Sequence, residues 1–340
     1  MPFRDIAGHQ RTLALLGGAA SRGTLPPSLI FAGPEGIGKY TAAIALAQAL
    51  NCERGRGIFG GDLPDAGQDA CGACAACRRI ARGVHADVLV LAPGESGSIK
   101  VDQVREAIDR SAYRPFEGRR RVVIVDGADA LMPEAQNALL KTLEEPPPAS
   151  VFVLVTACPD VLLPTVLSRC RRVRFGPLSP GDVAGVLMRG HGYTPADAHA
   201  AAAASDGSIG RALEGGTEDF ADARDAAARM LQGVAASVDV RRRLDSARAL
   251  AAGRASSDRA ELTRRLLALS SLLRDVGVLL SRADHRGLAN ADLKPLLDSL
   301  LRSFDGARAL RAFSAVDRAL EALDRNASPK IVADWLAFQL

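Results

Sequence analysis

The segment that decides the fold reads GPEGIGKY and spans residues 33–40 of this 340-residue chain. An apolar run at residues 28–32 precedes it and predicts a buried strand, and residues 41–50 follow with the composition of a helix. In the order strand, glycine loop, helix, the pattern G-x-x-x-x-G-K-[ST] predicts a phosphate-binding loop, because the N–H groups of the loop then point at one anion. The segment predicts an α/β nucleotide-binding fold. The residues expected at the phosphates are Gly33, Gly36, Gly38 and Lys39.

The last position of the motif departs from the pattern. It holds Tyr40 where a serine or threonine hydroxyl ordinarily binds Mg²⁺. The phenol oxygen of a tyrosine lies roughly 6 Å from its Cα, which is too far for that role. Thr41 has a hydroxyl, but one residue further along a helix it is rotated by about 100°. Nucleotide binding and a glycine turn kept only for the fold both remain open, whereas metal-dependent hydrolysis is disfavoured.

The strand expected to carry the second metal support also departs from an active ATPase. Residues 121–126 are rich in valine and isoleucine and end in Asp126, the position that usually supports Mg²⁺ from a strand end. Many such ATPases place Glu next, to orient the attacking water, but the next residue here is Gly127. Asp129 lies two positions beyond and is expected to be a loop or cap residue. Tyr40 and Gly127 together indicate impaired nucleotide chemistry.

Strand and helix signals alternate up to about residue 175. The strand candidates are continuous apolar runs, which favour a parallel sheet buried on both faces in a doubly wound α/β domain. Helical spacing separates them. Besides residues 28–32 and 121–126, the strand candidates are 87–91, 151–156 and 172–175, and the helix candidates are 101–112 and 133–143.

From residue 176 onward the pattern is helical. Ser179 and Thr194 each precede a proline and predict helix N-caps. Residues 176–216 are expected to form a small three-helix domain. Residues 217–340 are expected to form an all-helical domain whose longest helix spans 261–282.

Composition and charge restrict the function classes only mildly. Hydrophobic residues make up 48% of the chain and charged residues 24%, as in globular proteins. The net charge of +4 permits contact with nucleic acid but does not argue for it. The sequence shows neither a signal-peptide core nor an apolar run of membrane-spanning length. We therefore expect a cytoplasmic protein without a membrane partner.

Four cysteines form the clearest metal-binding pattern of the sequence. Thiols stay reduced in the cytoplasm, and two C-x-x-C steps suit the tetrahedral coordination of Zn²⁺. Four protein ligands leave no open position, which predicts one structural zinc per chain in a module at about residues 52–77. Incidental cysteines and a DNA-binding zinc ribbon are the alternatives. The predicted ligands are Cys52, Cys71, Cys74 and Cys77.

Arg169 is the one arginine for which the sequence offers two distinct roles. It lies in the tripeptide Ser-Arg-Cys at residues 168–170, at the edge of the α/β domain. It could pair with an acid of its own chain. Alternatively, it could act as an arginine finger that reaches the nucleotide of a neighbouring subunit. Spacing alone does not decide between the two.

Taken together, these segments resemble the bacterial clamp-loader subunits, AAA+ proteins of the DNA polymerase III holoenzyme, and within that family the delta-prime type. The resemblance covers about the first 215 residues. It implies an AAA+ domain with a parallel sheet, flanking helices and an inserted zinc module, followed by a small helical lid and an all-α C-terminal collar. The segments that carry it are residues 33–40, the four-cysteine module, NALLKTLEEPP at 137–147, LSRC at 167–170 and DGSIGRAL at 206–213.

The resemblance also implies roles for single residues. Arg169 would be a finger acting in trans on an adjacent ATPase subunit. Thr156 and Arg211 stand at the first and second sensor positions of the family. Lys39 and the loop glycines stand where ATP or ADP would bind. Motor subunits carry Lys-Ser/Thr and Asp-Glu at the two ATPase motifs, so this chain is expected to be a stator with little ATPase activity of its own.

The implied partners are those of a replication assembly. They are the motor ATPase and delta-type subunits of a heteropentamer joined through the collar, the sliding clamp, and primer-template DNA reached through the assembly. As part of that holoenzyme, the chain would serve a DNA-directed DNA polymerase, a nucleotidyltransferase. The rival interpretation is a motor subunit of the same kind of loader that hydrolyses ATP with unusual residues.

Overall fold

The structure is a computed structural model, and it describes residues 1–55, 69–94, 96–214, 217–236, 239, 241, 244–245, 258–281, 288–325 and 327–340. Residues 56–68, most of the insert expected between the first two zinc ligands, lie outside this part of the chain. The chain divides into two compact units, Met1–Pro177 and Leu178–Leu340. None of the described helices is long and apolar enough to span a bilayer.

A five-stranded parallel sheet forms the centre of the first unit. Its strands in chain order are β1 Ser28–Ala32, β2 Val88–Leu91, β3 Arg121–Asp126, β4 Ser150–Thr156 and β5 Arg171–Arg174. They are arranged in the order β2-β3-β4-β1-β5. Branched and aromatic side chains fill β1, β3 and β4, which are buried because helices cover both faces. The predicted parallel α/β sheet is confirmed. Strand β2 begins one residue later than predicted, and β4 and β5 each begin one residue earlier.

The described part of this unit has six α-helices, namely α1 Gln10–Arg22, α2 Lys39–Asn51, α3 Ala75–Ala81, α4 Val101–Ser111, α5 Pro133–Glu144 and α6 Pro164–Leu167. Because side chains alternate along a strand, β1 contributes to two separate cores. Leu29 and Phe31 pack with α1 and α2 on one face. Ile30 and Ala32 pack with α4 and α5 on the other.

The topology places the ends of three central strands side by side. Strand β4 lies between β3 and β1, and all three run in the same direction. Their carboxyl ends therefore bring Asp126, Thr156 and the glycine loop to one edge of the sheet. Such an edge is where open α/β sheets bind ligands.

The second unit contains only helices among its described residues. The first four are α7 Pro180–His191, α8 Pro195–Ala204, α9 Ile209–Glu214 and α10 Thr217–Ala236. The Ser179 hydroxyl accepts a hydrogen bond from the N–H of Asp182, and the Thr194 hydroxyl accepts one from the N–H of Asp197. The two N-caps predicted from the sequence are thus confirmed. Helix α8 packs its alanines against α7 and α10.

The remaining described helices are Asp258–Leu280, Lys294–Leu300, Gly306–Asp324 and Pro329–Gln339. Leucine, valine and alanine from these helices and α10 form one core. The predicted end of the long helix at Arg282 lies outside the described residues. Helix α8 packs on α10 and on Asp258–Leu280. The three-domain division at residues 175 and 216 stays a prediction.

Candidate functional site

The glycine loop is built as the sequence predicts, between β1 and α2. Gly33 passes so close to the chain after β5 that a Cβ there would lie 2.1 Å from the carbonyl oxygen of Phe175. Only glycine fits at this position. Gly36 lies within the loop, and Gly38 is the N-cap of α2, whose first residue is Lys39. The N-terminus of α2 thus opens directly on the loop, the arrangement that favours an anion.

Lys39 lies inside the loop. Its Nζ donates hydrogen bonds to the carbonyl oxygens of Gly33, at 2.7 Å, and Pro34. The residue is only 6% exposed, and this burial lowers the pKa of its ammonium group, against the opposing charges of Asp129, Glu35 and Asp126. These two carbonyls accept from two of the three N–H groups of the ammonium, so they would compete with a phosphate in the loop for Lys39.

At the position where this motif usually binds Mg²⁺, the site has the phenol of Tyr40 in place of a small hydroxyl. Asp126 ends β3, and burial raises the pKa of its carboxyl while the charge of Lys39 lowers it. Tyr40 is 39% exposed. Burial raises the pKa of its phenol, and the charge of Asp126 raises it further. The Tyr40 phenol is therefore neutral, and it does not provide the compact hydroxyl that Mg²⁺ takes in this motif.

The backbone after β3 explains why the water-orienting Glu is missing. Gly127 has φ 72° and ψ 50°, in the left-handed region. A Cβ at this position would also lie 3.3 Å from Cγ of Pro93. A glutamate would be strained in this conformation. Gly127 therefore differs from an active ATPase in its backbone conformation as well as in its missing glutamate side chain.

Asp129 has a more specific position than a surface loop. It lies in a short 3₁₀ turn, and its Oδ1 accepts hydrogen bonds from the Thr156 hydroxyl, at 2.8 Å, and from the N–H of Ala157, at 3.2 Å. Thr156 is 1% exposed at the end of β4. Asp129 thus lies in the loop, one of the two expected alternatives, and its carboxylate binds the end of β4 at the predicted first sensor. The sequence separates the two residues by 27 positions, so it contained no local signal for this pairing.

Arg211, the predicted second sensor, belongs to the second unit. Its guanidinium lies 3.6 Å from a carboxylate oxygen of Asp206, which also faces Arg274 at 3.7 Å. Both pairs are exposed to a similar degree. The part of Arg211 in a nucleotide site stays a prediction.

The four predicted zinc ligands converge. The sulfur atoms of Cys52, Cys71, Cys74 and Cys77 all lie within 4.8 Å of one another. Tetrahedral Zn²⁺ with Zn–S bonds of about 2.3 Å places its sulfurs roughly 3.8 Å apart, so the cluster fits this ion after small adjustments. Backbone N–H groups donate to three of the sulfurs, as expected for sulfurs that carry negative charge. The residues could hold a metal ion.

The cysteine module is attached to the helix that follows the glycine loop. Cys52 is the C-cap of α2, and Gln48 in the same helix donates a hydrogen bond to the carbonyl oxygen of Cys77 at 2.7 Å. The N-terminal segment covers the module from the other side. There Arg4 contacts the Asp69 carboxylate and donates to the carbonyl oxygen of Cys71. The module thus stabilises the end of α2 opposite the loop.

Arg169 lies just after α6, and its guanidinium is held by its own chain. Its Nε and Nη2 donate to Oε2 of Glu144 at 3.0 and 2.8 Å, and its Nη1 donates to the carbonyl oxygen of Thr165 at 3.1 Å. Its side chain is 31% exposed. The structure therefore shows the intramolecular pair that the sequence left open. Glu144 lies in the LEEPP segment at residues 143–147, whose sequence indicates no role for this glutamate.

Comparison with known proteins agrees with this architecture. A family model described as DNA polymerase III, delta subunit, matches residues 8–179. The DNA polymerase III subunit gamma/tau of Mycobacterium bovis is 34% identical over 187 residues, 55% of this chain and 31% of that protein. Subunit tau of Escherichia coli is 36% identical over 168 residues, 49% of this chain and 24% of that protein.

Subunit delta' of Pseudomonas aeruginosa is 39% identical over 168 residues, 49% of this chain and 47% of that protein. The matched segments thus cover less than half the length of each of these three relatives. The matches include both gamma/tau and delta' subunits, and the family model covers the part of the chain that carries the glycine loop and Arg169. The resemblance inferred from the motifs is confirmed: the chain belongs to the DNA polymerase III delta subunit family, a family of clamp-loader subunits.

Proposed function

We propose that this chain is the stator, the delta-prime type of subunit, in a DNA polymerase III clamp loader. It would support ATP hydrolysis in a neighbouring motor subunit without hydrolysing ATP itself. The observation that carries this proposal is the backbone at Gly127, where the left-handed conformation disfavours a water-orienting glutamate. Tyr40 at the metal position supports the same conclusion from the other side of the site.

Arg169 would be the residue through which the chain acts. An arginine placed against the γ-phosphate of a neighbour stabilises charge that develops during phosphoryl transfer, and such fingers raise kcat by about 10³–10⁵-fold. Arg169 lies at the end of a short helix, and its guanidinium is partly exposed. Its charge is therefore available to a partner once the two subunits meet.

The other predicted roles follow from this assignment. Gly33, Gly36, Gly38 and Lys39 would bind ATP or ADP, and this binding would be weakened because two loop carbonyls compete for the Lys39 ammonium. One zinc per chain, held by the four cysteines, would stabilise the module and take no part in catalysis. The partners would be motor and delta-type subunits in a heteropentamer, the sliding clamp and primer-template DNA, in the cytoplasm.

A catalytically active motor subunit is the second candidate function. The glycine loop, Lys39 and Asp126 are all retained at the correct edge of the sheet, and gamma/tau proteins are among the relatives. ATP turnover by the isolated chain with Mg²⁺ distinguishes the two. Turnover that disappears in Lys39→Ala would establish the motor and refute the stator.

The stator proposal is tested in a reconstituted loader. We expect Arg169→Ala to leave assembly intact and to lower DNA- and clamp-stimulated ATP turnover by at least about 10²-fold, given the size of finger effects. Arg171→Ala is the matched control. Arg171 is an exposed arginine two residues later, and the described residues show no ion pair for it. Unchanged turnover in Arg169→Ala would refute the finger role.

A further inference from the structure

Among the described residues, Glu144 is the only side chain that forms a hydrogen bond or an ion pair with the guanidinium of Arg169. It is the last residue of α5, and two prolines follow within three positions, which ends the helix there. Helices α5 and α6 pack against each other. The carboxylate is therefore attached to a rigid element close to the one that carries the arginine.

The contact has little to contribute to folding. The Glu144 side chain is 58% exposed, and ion pairs in such positions contribute little to stability. The contact does restrict the arginine, because a long side chain that is free to adopt many rotamers is held in one by these hydrogen bonds. An arginine already fixed in one orientation loses less rotamer entropy when a phosphate binds.

The geometry leaves the arginine able to bind an anion while Glu144 holds it. A guanidinium has five N–H donors. Glu144 accepts from two of them and the Thr165 carbonyl from a third. Two N–H groups on the terminal nitrogens remain for phosphoryl oxygens. Glu144 therefore need not be displaced when the finger engages.

From these contacts we propose that Glu144 is a positioning residue for Arg169, which sets the orientation of the guanidinium before the nucleotide of the neighbouring subunit arrives. This proposal rests on the finger role of Arg169 proposed above. Glu144 does not touch the nucleotide and acts only through the arginine. The opposite role, in which Glu144 restrains the arginine and lowers turnover, is an outcome of the same test.

The test uses the reconstituted loader with clamp and primed DNA. We expect Glu144→Ala to lower kcat about tenfold with KM for ATP unchanged, since a misplaced group costs up to about 10²-fold. Glu144→Gln should lose less, because its amide oxygen still accepts a hydrogen bond. Glu145→Ala is the matched control, an adjacent exposed carboxylate, and it should leave kcat unchanged. The unfolding midpoint of the isolated chain should move by less than about 4 °C.

The double variant separates this proposal from the one on which it rests. If Glu144 acts through Arg169, Glu144→Ala should have no further effect in the Arg169→Ala background, so the two changes are non-additive. A kcat of Glu144→Ala equal to or above that of the unmodified loader, with Arg169→Ala still impaired, would overturn the positioning role and leave the finger role intact. Unchanged turnover in Arg169→Ala would overturn the finger role, and the positioning role with it.

Discussion

The buried carboxylate of Asp87 offers the most quantitative prediction for the stability of the α/β unit. Asp87 immediately precedes β2 and is fully buried. It accepts hydrogen bonds from the N–H groups of Phe116, Glu117 and Gly118 at 2.7–2.8 Å and from Nη2 of Arg121 at 2.8 Å. Burial alone would raise the pKa of Asp87, but these donors lower it from 3.8 to about 2. One carboxylate thus fixes the loop between α4 and β3.

The cost of Asp87→Asn follows from that pKa. Each pKa unit corresponds to about 1.36 kcal/mol, so the folded state favours the charged carboxylate by about 2.5 kcal/mol. An asparagine also places N–H groups against N–H donors, which adds to the cost. We therefore expect the variant to unfold with a free energy at least about 2.5 kcal/mol smaller at pH 7. Asp109→Asn, an exposed change on α4, should stay within about 0.5 kcal/mol.

Urea unfolding followed by circular dichroism measures this difference, and amide exchange of residues 116–118 reports it locally. The pH dependence has a definite sign. Because the folded pKa is depressed, the stabilisation is complete above the unfolded pKa near 3.8 and is lost as the pH falls towards about 2. Equal urea midpoints for Asp87→Asn and the unmodified chain at pH 7 would refute the reasoning.

Three further predictions concern the site. Gly127→Glu should not create ATPase activity and should destabilise the chain by about 1–3 kcal/mol, because the left-handed backbone strains it; phosphate release and a urea titration measure both, and new turnover would contradict the account. Cys77→Ser, or treatment with a chelator, should release one zinc per chain, as measured by elemental analysis. The unfolding midpoint should fall before any loss of DNA affinity. An unchanged midpoint would show that the metal is not structural. Asp129→Ala should accelerate amide exchange at Ala157, because the Asp129 carboxylate accepts a hydrogen bond from the N–H of Ala157. Unchanged exchange would contradict the role of Asp129 at Thr156.

Much of the α/β unit could be predicted because local signals and tertiary structure agree. Apolar runs indicated the strands β1 to β4, whereas β5 is a short, exposed strand with three arginines. The glycine pattern indicated the turn between β1 and α2. The four cysteines also converge as predicted, since C-x-x-C spacing restricts the possible geometries. The caps at Ser179 and Thr194 follow from side chains that act within three residues.

The contacts that the sequence could not supply join distant positions. Thr156 meets Asp129 at the carboxyl ends of the strands, and Asp87 meets a loop about 30 residues later at their amino ends, because parallel strands bring separate segments together at each edge. The partner of Arg169 is of the same kind, since Glu144 lies 25 residues earlier at the end of another helix. The bonds from Lys39 to its own loop depend on side-chain packing, which a motif does not specify.

In the proposed role, the chain promotes ATP hydrolysis in a neighbour without hydrolysing ATP itself. Clamp- and DNA-stimulated ATP turnover of two reconstituted loaders tests this role, one with Arg169→Ala and one with Lys39→Ala in this chain. A stator should lose most of the turnover with Arg169→Ala and keep turnover close to that of the unmodified loader with Lys39→Ala. The reverse result, with Lys39→Ala inactive and Arg169→Ala unimpaired, would contradict it.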